Sequence, residues 1–200
     1  MARPPRIQFQ NAFYHVIVRG NQQQALFSGD TDRMAYLELL SRYKKKCGFI
    51  LYAYVLMNNH IHLLVETPEA PISKIMQMLN FTYAQYFNRK YGKVGHLFQG
   101  RYKSFLCDRD QYLLSLVRYI HLNPLVDYLT KDLKAYSYSS YLEFLGLKEG
   151  FTRKDVVLDN FGSVQDYERF VLDQEDYGRT IKNLERLLLD ENNYVSSYIT

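Results

Sequence analysis

Apolar positions recur along this chain in two rhythms, and the order of those rhythms predicts the fold. From Ala12 to Arg19 the faces alternate, with Phe13, His15 and Ile17 on one side and Tyr14, Val16 and Val18 on the other, as in a β-strand. Gly20-Asn21 closes that strand as a turn. The period then lengthens. Met34, Leu37, Leu40 and Tyr43 recur at helical spacing behind a capping residue, Asp30 or Thr31. Lys44, Lys45 and Lys46 fall in the last turn, where cations oppose the helix dipole, and Gly48 stops the helix. Residues 49–57 and 60–66 read as two strands joined by a polar Asn58-Asn59 turn. Pro68 and Pro71 break the chain before a long amphipathic helix, Ile72 to Tyr91, which carries Arg89 and Lys90 in its last turn. A glycine-punctuated loop, 92–100, leads into a strand at 101–106. Asp108, with Gln111 at the reciprocal position, caps a further helix whose apolar side holds Leu113, Leu116, Val117 and Ile120. Pro124 disfavours helical geometry at Asn123, so this helix is expected to end or kink there.

Strand, helix, strand, strand, helix, strand, helix is the order of an α+β domain. It predicts an antiparallel sheet of the ferredoxin-like, split βαβ type with helices packed on it. That pattern occupies residues 1–130, with residues 1–11 as a basic, polar arm. Residues 131–200 form an extension of short helical stretches, one capped by Ser163 with Asp166 three residues on, another over 179–190. The sequence contains no internal repeat.

Composition narrows the function. The hydrophobic share of 47% and charged share of 23% belong to a globular chain rather than a disordered one. No apolar run resembles a secretory leader or reaches the 18 residues or so needed to span a bilayer, so the expected location is the cytoplasm. Cys47 and Cys107 have no C-x-x-C neighbour and are expected as reduced, buried thiols. The net charge of +4 hides an asymmetry: residues 1–130 hold 16 Lys/Arg against 8 Asp/Glu, whereas residues 131–200 hold 9 against 13. A basic body of this kind suits a polyanion such as nucleic acid. Nineteen Tyr and no Trp supply flat faces for bases and phenols for chemistry.

The chemistry centres on Tyr54 to Glu66, which reads YVLMNNHIHLLVE. On a strand His60 and His62 share one face while Ile61 packs on the other, so the two imidazoles can grip one metal ion and leave most of its coordination sphere open. A His-x-His pair also arises by chance, and its setting is what gives it weight. In VRYIHLNPL, Tyr119 and Asn123 stand at i and i+4, on one helix face if the helix extends that far. A phenol is a competent nucleophile toward phosphorus beside a cation, and an amide oxygen is a hard ligand suited to Mg²⁺ or Mn²⁺. Spacing alone does not choose among Tyr119, Tyr102 and Tyr112 as the nucleophile. His15, on the first strand, faces either the site or the core, with the core the expected place, and His121 turns away from Tyr119 on a helix.

Three segments in this order, YVLMNNHIHLLVE, GHLFQGRYKSFLCD and LVRYIHLNPL, resemble the HUH single-tyrosine transposases, and within them the REP-associated tyrosine transposases. The resemblance runs from about Phe13 to Leu145 and includes YHVIVRGN and SYSSYLEFLG. It implies that residues 1–130 are a catalytic domain, that His60, His62 and Asn123 hold Mg²⁺ or Mn²⁺, and that Tyr119 is the nucleophile. It further implies single-stranded or hairpin DNA as substrate, a 5′-phosphotyrosine intermediate, and a monomer or a homodimer. Two departures stand out: Asn58 occupies a position where the family often has proline, and the usual Asn-Pro-Val-Arg-Ala continues here as Asn123-Pro124-Leu125-Val126-Asp127. Arg19, Arg89, Lys93, Arg101, Lys103 and Arg118 are the candidates for DNA backbone contacts. The alternative reading is a domesticated DNA-binding protein that keeps the fold and has lost strand cleavage.

Overall fold

Four strands pair antiparallel in the order β2-β3-β1-β4. They are β1 (Ala12–Arg19), β2 (Ile50–Leu56), β3 (His60–Thr67) and β4 (Lys103–Leu106). The structure, a computed structural model, describes residues 8–173. The helices α1 (Asp30–Cys47) and α2 (Ile72–Tyr91) fall between strands, and α3 (Arg109–Val126) follows β4. This is the ferredoxin-like α+β arrangement expected from the alternation of periods, with the third helix added.

The period of two divides the core. Tyr14, Val16, Val18, Ile61, Leu63 and Val65 face α1 and α2, where they meet Leu40, Leu79, Tyr83 and Phe87. Phe13, Val55 and Leu64 face the other way, against Leu116, Val117 and Ile120 of α3. Each of those three α3 side chains is almost wholly buried, and burial of one such side chain stabilises by about 1.5–3 kcal/mol. That packing fixes the rotation of α3 over the sheet, and with it the direction of the other side chains on the helix.

The outer edge of β2 is covered by the segment after α3: Leu56 N–H donates to Tyr138 O at 2.9 Å and Ser140 N–H to Tyr54 O at 3.0 Å. Short helices α4 (Tyr141–Phe144), α5 (Asp155–Leu158) and α6 (Val164–Leu172) continue the chain. Ser163 caps α6, its hydroxyl accepting from Asp166 N–H at 3.1 Å. The helix expected over 179–190 lies outside the described residues, as do residues 1–7 of the basic arm.

Local details differ from expectation in three places. Neither Asp30 nor Thr31 caps α1. Its N-cap is Gly29, without a side-chain bond, and Asp30 is the first helical residue. Met34 is half exposed rather than facing the core. The α3 helix runs through Pro124 to Val126. Proline there forfeits one backbone bond close to the helix end, where the loss is small, and the buried Leu122 and Pro124 hold the last turn in place.

Candidate active site

The β1–β3 register sets Ile17 opposite His62 and Arg19 opposite His60. His15, His60 and His62 therefore share the face that α3 covers, while Ile61 points into the opposite core. The His60 and His62 ring centroids lie 5.0 Å apart. From α3, the Tyr119 ring meets His62 edge-on at 5.7 Å and His15 at 5.8 Å. Tyr119 is half-buried, with part of its surface open.

Because α3 continues past Asn123, residues 119, 123 and 127 form one stripe along it at i, i+4 and i+8. Tyr119 stands at one end against His62. Asp127 stands at the other, its Oδ2 3.9 Å from His60 Nε2. Asn123 lies between them, nearly buried, and its Nδ2 donates to Tyr119 O at 2.7 Å. That bond leaves Oδ1 as the acceptor atom of the amide.

Hydrogen bonds also fix which imidazole nitrogen faces the site. His60 Nδ1 lies 2.8 Å from Asn59 Oδ1; an amide oxygen only accepts, so Nδ1 carries the proton and Nε2 the lone pair. His62 Nδ1 lies 2.8 Å from His15 Nε2. A lone pair on His62 Nε2 requires that His62 Nδ1–H donate to His15. The His15 proton is then on Nδ1, a buried atom with no hydrogen-bond partner among the described residues. Burial lowers the pKa of His15 to about 3. Burial first, then the neighbouring His15, His60 and Arg19 charges, hold His62 well below the ordinary 6.5, and burial also lowers His60. All three rings are neutral at pH 7, the state that binds a cation.

These donors fit a divalent cation. Each ring is held by the protein through Nδ1, His60 by Asn59 and His62 by His15, which leaves Nε2 of each for a ligand, the arrangement usual around metal-bound histidine, and an amide oxygen stands on the facing helix. Among the described residues no three His, Cys, Asp or Glu side chains gather as a metal cluster. A cation would therefore rest on His60, His62 and Asn123 and keep positions for water and phosphate oxygens.

The structure separates the other sequence candidates. Tyr102 is buried on the α1/α2 side of the sheet, away from the histidines. Tyr112 sits in the first turn of α3, seven residues and about 10 Å of helix before Tyr119. Arg19 is exposed at the rim beside His60. Lys103 is exposed on the edge strand opposite Ile17, on the same face as the histidines. Arg101 is exposed just before β4, and Arg89 and Lys93 are exposed at the end of α2, which packs on the opposite face of the sheet. Arg118 is a correction. Its side chain is fully buried, with Nε donating to Val171 O at 3.4 Å and the guanidinium over the Phe170 ring, so it ties α3 to α6 and does not reach DNA. His121 turns away as expected, into a pocket with Tyr167 and Ser140.

Sequence reasoning set one neighbour of this site in the core, where it is indeed fully buried, and missed another. His15 shares a strand face with Ile17, but its contact with His62 depends on a β1–β3 register that no local pattern reveals. Asp127 was hidden by Pro124, which signalled an earlier end to the helix.

The family model described as "Transposase IS200 like" matches residues 8–123. The chain belongs to the IS200-like transposase family. Among solved structures, this IS200-like transposase is similar to a REP-associated tyrosine transposase bound to a REP hairpin. The TM-score is 0.62 at 18% identity, covering 74% of this chain and 89% of that one. That likeness bears on the fold, which the two share. A candidate transposase from Deinococcus radiodurans aligns at TM-score 0.39 and 18% identity, over 58% of this chain and 92% of that one. A tRNA(His) guanylyltransferase from Saccharomyces cerevisiae aligns at 0.43 and 8%, over 92% and 81%. Curated protein sequences give no match. Among the described residues no helix is long and apolar enough to cross a membrane.

Proposed function

We propose that this IS200-like transposase cuts and rejoins single-stranded DNA, presented as a hairpin, through a covalent 5′-phosphotyrosine at Tyr119. One observation carries the reading: the partly open Tyr119 ring stands edge-on to His62, whose ring neighbours His60, on the same helix stripe as the Asn123 amide. Mg²⁺ or Mn²⁺ held by His60, His62 and Asn123 would supply charge stabilisation for the phosphate oxygens. The chain's own part is geometric. The sheet fixes the imidazoles, α3 fixes the phenol, and Arg19 and Lys103 at the rim offer positive charge to the incoming backbone. The Tyr119 oxygen bonds to phosphorus, and its proton passes to solvent. The P–O3′ bond breaks, and the departing O3′ takes up a proton to become a free hydroxyl. Because the phosphodiester energy is kept in the phosphotyrosine, a DNA 3′-hydroxyl can attack it and join strands. The REP-hairpin complex of the similar structure supports a folded single strand as the substrate.

The test is a labelled hairpin oligonucleotide with single-stranded flanks, incubated with Mn²⁺. The expected product is a denaturation-resistant adduct whose tryptic peptide carries the nucleotide on Tyr119. Binding without any adduct under Mg²⁺ or Mn²⁺ would favour a DNA-binding protein that has lost cleavage. His60→Ala and His62→Ala are each expected to abolish the adduct while leaving hairpin affinity within about threefold, since neither ring is needed for backbone contacts. Adduct formation persisting in both would remove the cation from the mechanism. His15→Ala leaves His62 without its orienting partner. It is expected to raise the Mn²⁺ concentration for half-maximal cleavage by about 10–100-fold, the usual effect of deleting such a partner, and saturating Mn²⁺ should restore much of the rate.

A further inference from the structure

Beyond the helix stripe, α3 ends in an unfavourable way. Asp127 is its C-cap, and the next residue, Tyr128, is left-handed at φ 54°. Its N–H donates to Leu125 O at 3.1 Å, and Leu129 N–H reaches back to Pro124 O at 2.9 Å, closing the helix. Glycine takes this conformation without cost, whereas a bulky aromatic residue is a genuine outlier there. The ring does not repay the strain by packing, because Tyr128 is 94% exposed. A strained backbone that presents an uncovered aromatic ring calls for a role outside the fold.

Tyr128 lines a recess of about 540 Å³, within the usual range of small-ligand sites, about 300–1,000 Å³. Its walls include Gln23, Asn58, Asn59, Val126 and Asp127. Two of these residues also belong to the histidine site: Asn59 bonds His60 Nδ1, and Asp127 approaches His60 Nε2. A second wall residue, Gln23, is left-handed as well, at φ 60°. The recess thus opens directly beside His60, with an aromatic face, apolar Val126, and amides able to meet the edges of a base.

We propose that this recess holds one nucleobase of the DNA strand next to the phosphate under attack, stacked on the Tyr128 ring. The proposal rests on the strand-cleavage reading for its location and on the recess itself for its ligand. A base seated there anchors the strand on the His60 side, so that the adjoining phosphate lies over the imidazoles and within reach of Tyr119. Tyr128 is a positioning residue: it acts on where the strand lies and touches none of the reacting atoms.

The test uses Tyr119→Phe protein, which cannot form the adduct, so that failure of the cleavage chemistry and failure of the base pocket are separate results. The probe is a 12-nucleotide thymidine strand bearing one central 5-iododeoxyuridine, irradiated and mapped by mass spectrometry. The expected cross-link falls on Tyr128. Cross-links elsewhere only, or none at all, overturn the proposal. In anisotropy titrations with the same strand, Tyr128→Ala is expected to weaken binding by about tenfold, the scale of losing one base–aromatic stack. Tyr128→Phe should bind within twofold of the parent, and so should Phe81→Ala, an exposed aromatic on α2. Tyr128→Gly separates a structural role from a positioning one. It relieves the left-handed strain and is expected to raise the melting temperature by about 2–4 °C while binding as poorly as the alanine variant. A glycine variant that melts lower, or binds as the parent does, refutes the assignment.

Discussion

Tyr119→Phe is expected to lower cleavage of a hairpin oligonucleotide by about 10⁴-fold or more, the scale reached when a covalent nucleophile is deleted, while hairpin affinity changes by less than twofold. The substitution removes the phenol oxygen and keeps the ring. Phenylalanine keeps the ring that stands edge-on to His62 and His15, so the imidazoles keep their packing and the stripe of α3 keeps its register. A half-buried Tyr→Phe change of this kind usually costs no more than about 1 kcal/mol of stability, and circular dichroism should show an unaltered fold. The experiment discriminates because a hydrolase that used the same two histidines to activate water would barely notice the loss of the phenol. Cleavage by Tyr119→Phe at more than about a tenth of the parent rate would therefore transfer the chemistry from the tyrosine to water. The covalent adduct is the second readout: it must vanish completely, since no other side chain on the stripe offers an alkoxide. Asn123 carries an amide and Asp127 a carboxylate, neither of which would give a phosphotyrosine.

Much of this arrangement was legible in the sequence. The period of two in Ala12–Arg19 and the period of 3.6 in Ile72–Tyr91 each report one buried face, and burial is what those elements supply to the fold. The His60–Ile61–His62 alternation likewise fixed which rings share a face, because a strand allows no other answer. What stayed hidden depends on pairing between distant segments. That His15 bonds His62 follows from the β1–β3 register, in which His15 pairs with Leu64 and Ile17 with His62, and a shift by one residue would have turned His15 to the other core. Arg118 misled for a related reason. A basic residue beside the candidate tyrosine looks like a phosphate contact, but one step along a helix rotates the side chain by about 100°. Here that rotation carries it beneath α6, a helix whose docking no local pattern in 109–126 announces. Pro124 failed as a stop signal because proline forbids one hydrogen bond, not a turn of helix. With the buried face of the last turn intact, the helix continued far enough to bring Asp127 to His60.

Acid should unfold this protein earlier than a chain of its size ordinarily requires, and the cause lies in neutral histidines. His15 and His121 are fully buried, and burial lowers both pKa values from the ordinary 6.5 to about 3. His62 is held well below 6.5 by the same cause and its charged neighbours. The folded pKa is depressed in each case. The stability that depends on the neutral ring is therefore complete above pH 6.5 and declines as the pH falls toward the folded value, because the unfolded chain takes up a proton that the folded chain refuses. The slope is about 1.4 kcal/mol per pH unit for each histidine. His15 and His121 alone then remove about 5 kcal/mol between pH 6.5 and pH 4.5, a large share of the roughly 5–15 kcal/mol that holds an ordinary domain together. Asp32 does not act in this window. Asp32 is lowered from 3.8 by the Lys90 and tyrosine hydrogen bonds that outweigh its desolvation, so its contribution is lost only at still lower pH. Thermal melts followed by circular dichroism should thus fall by about 10–20 °C from pH 6.5 to pH 4.5. His121 isolates the effect from the His60–His62 face, since its two nitrogens meet Tyr167 Oη at 2.6 Å and Ser140 Oγ at 2.7 Å, on the far side of α3. His121→Asn is expected to melt lower at pH 7, having lost those bonds, yet to show a shallower acid limb because one proton fewer is linked to unfolding. A melting temperature that stays flat from pH 7 to pH 4.5 in the parent protein would mean that water or a counter-charge reaches these rings. The dry surroundings assigned to His15 and His121 would then be wrong.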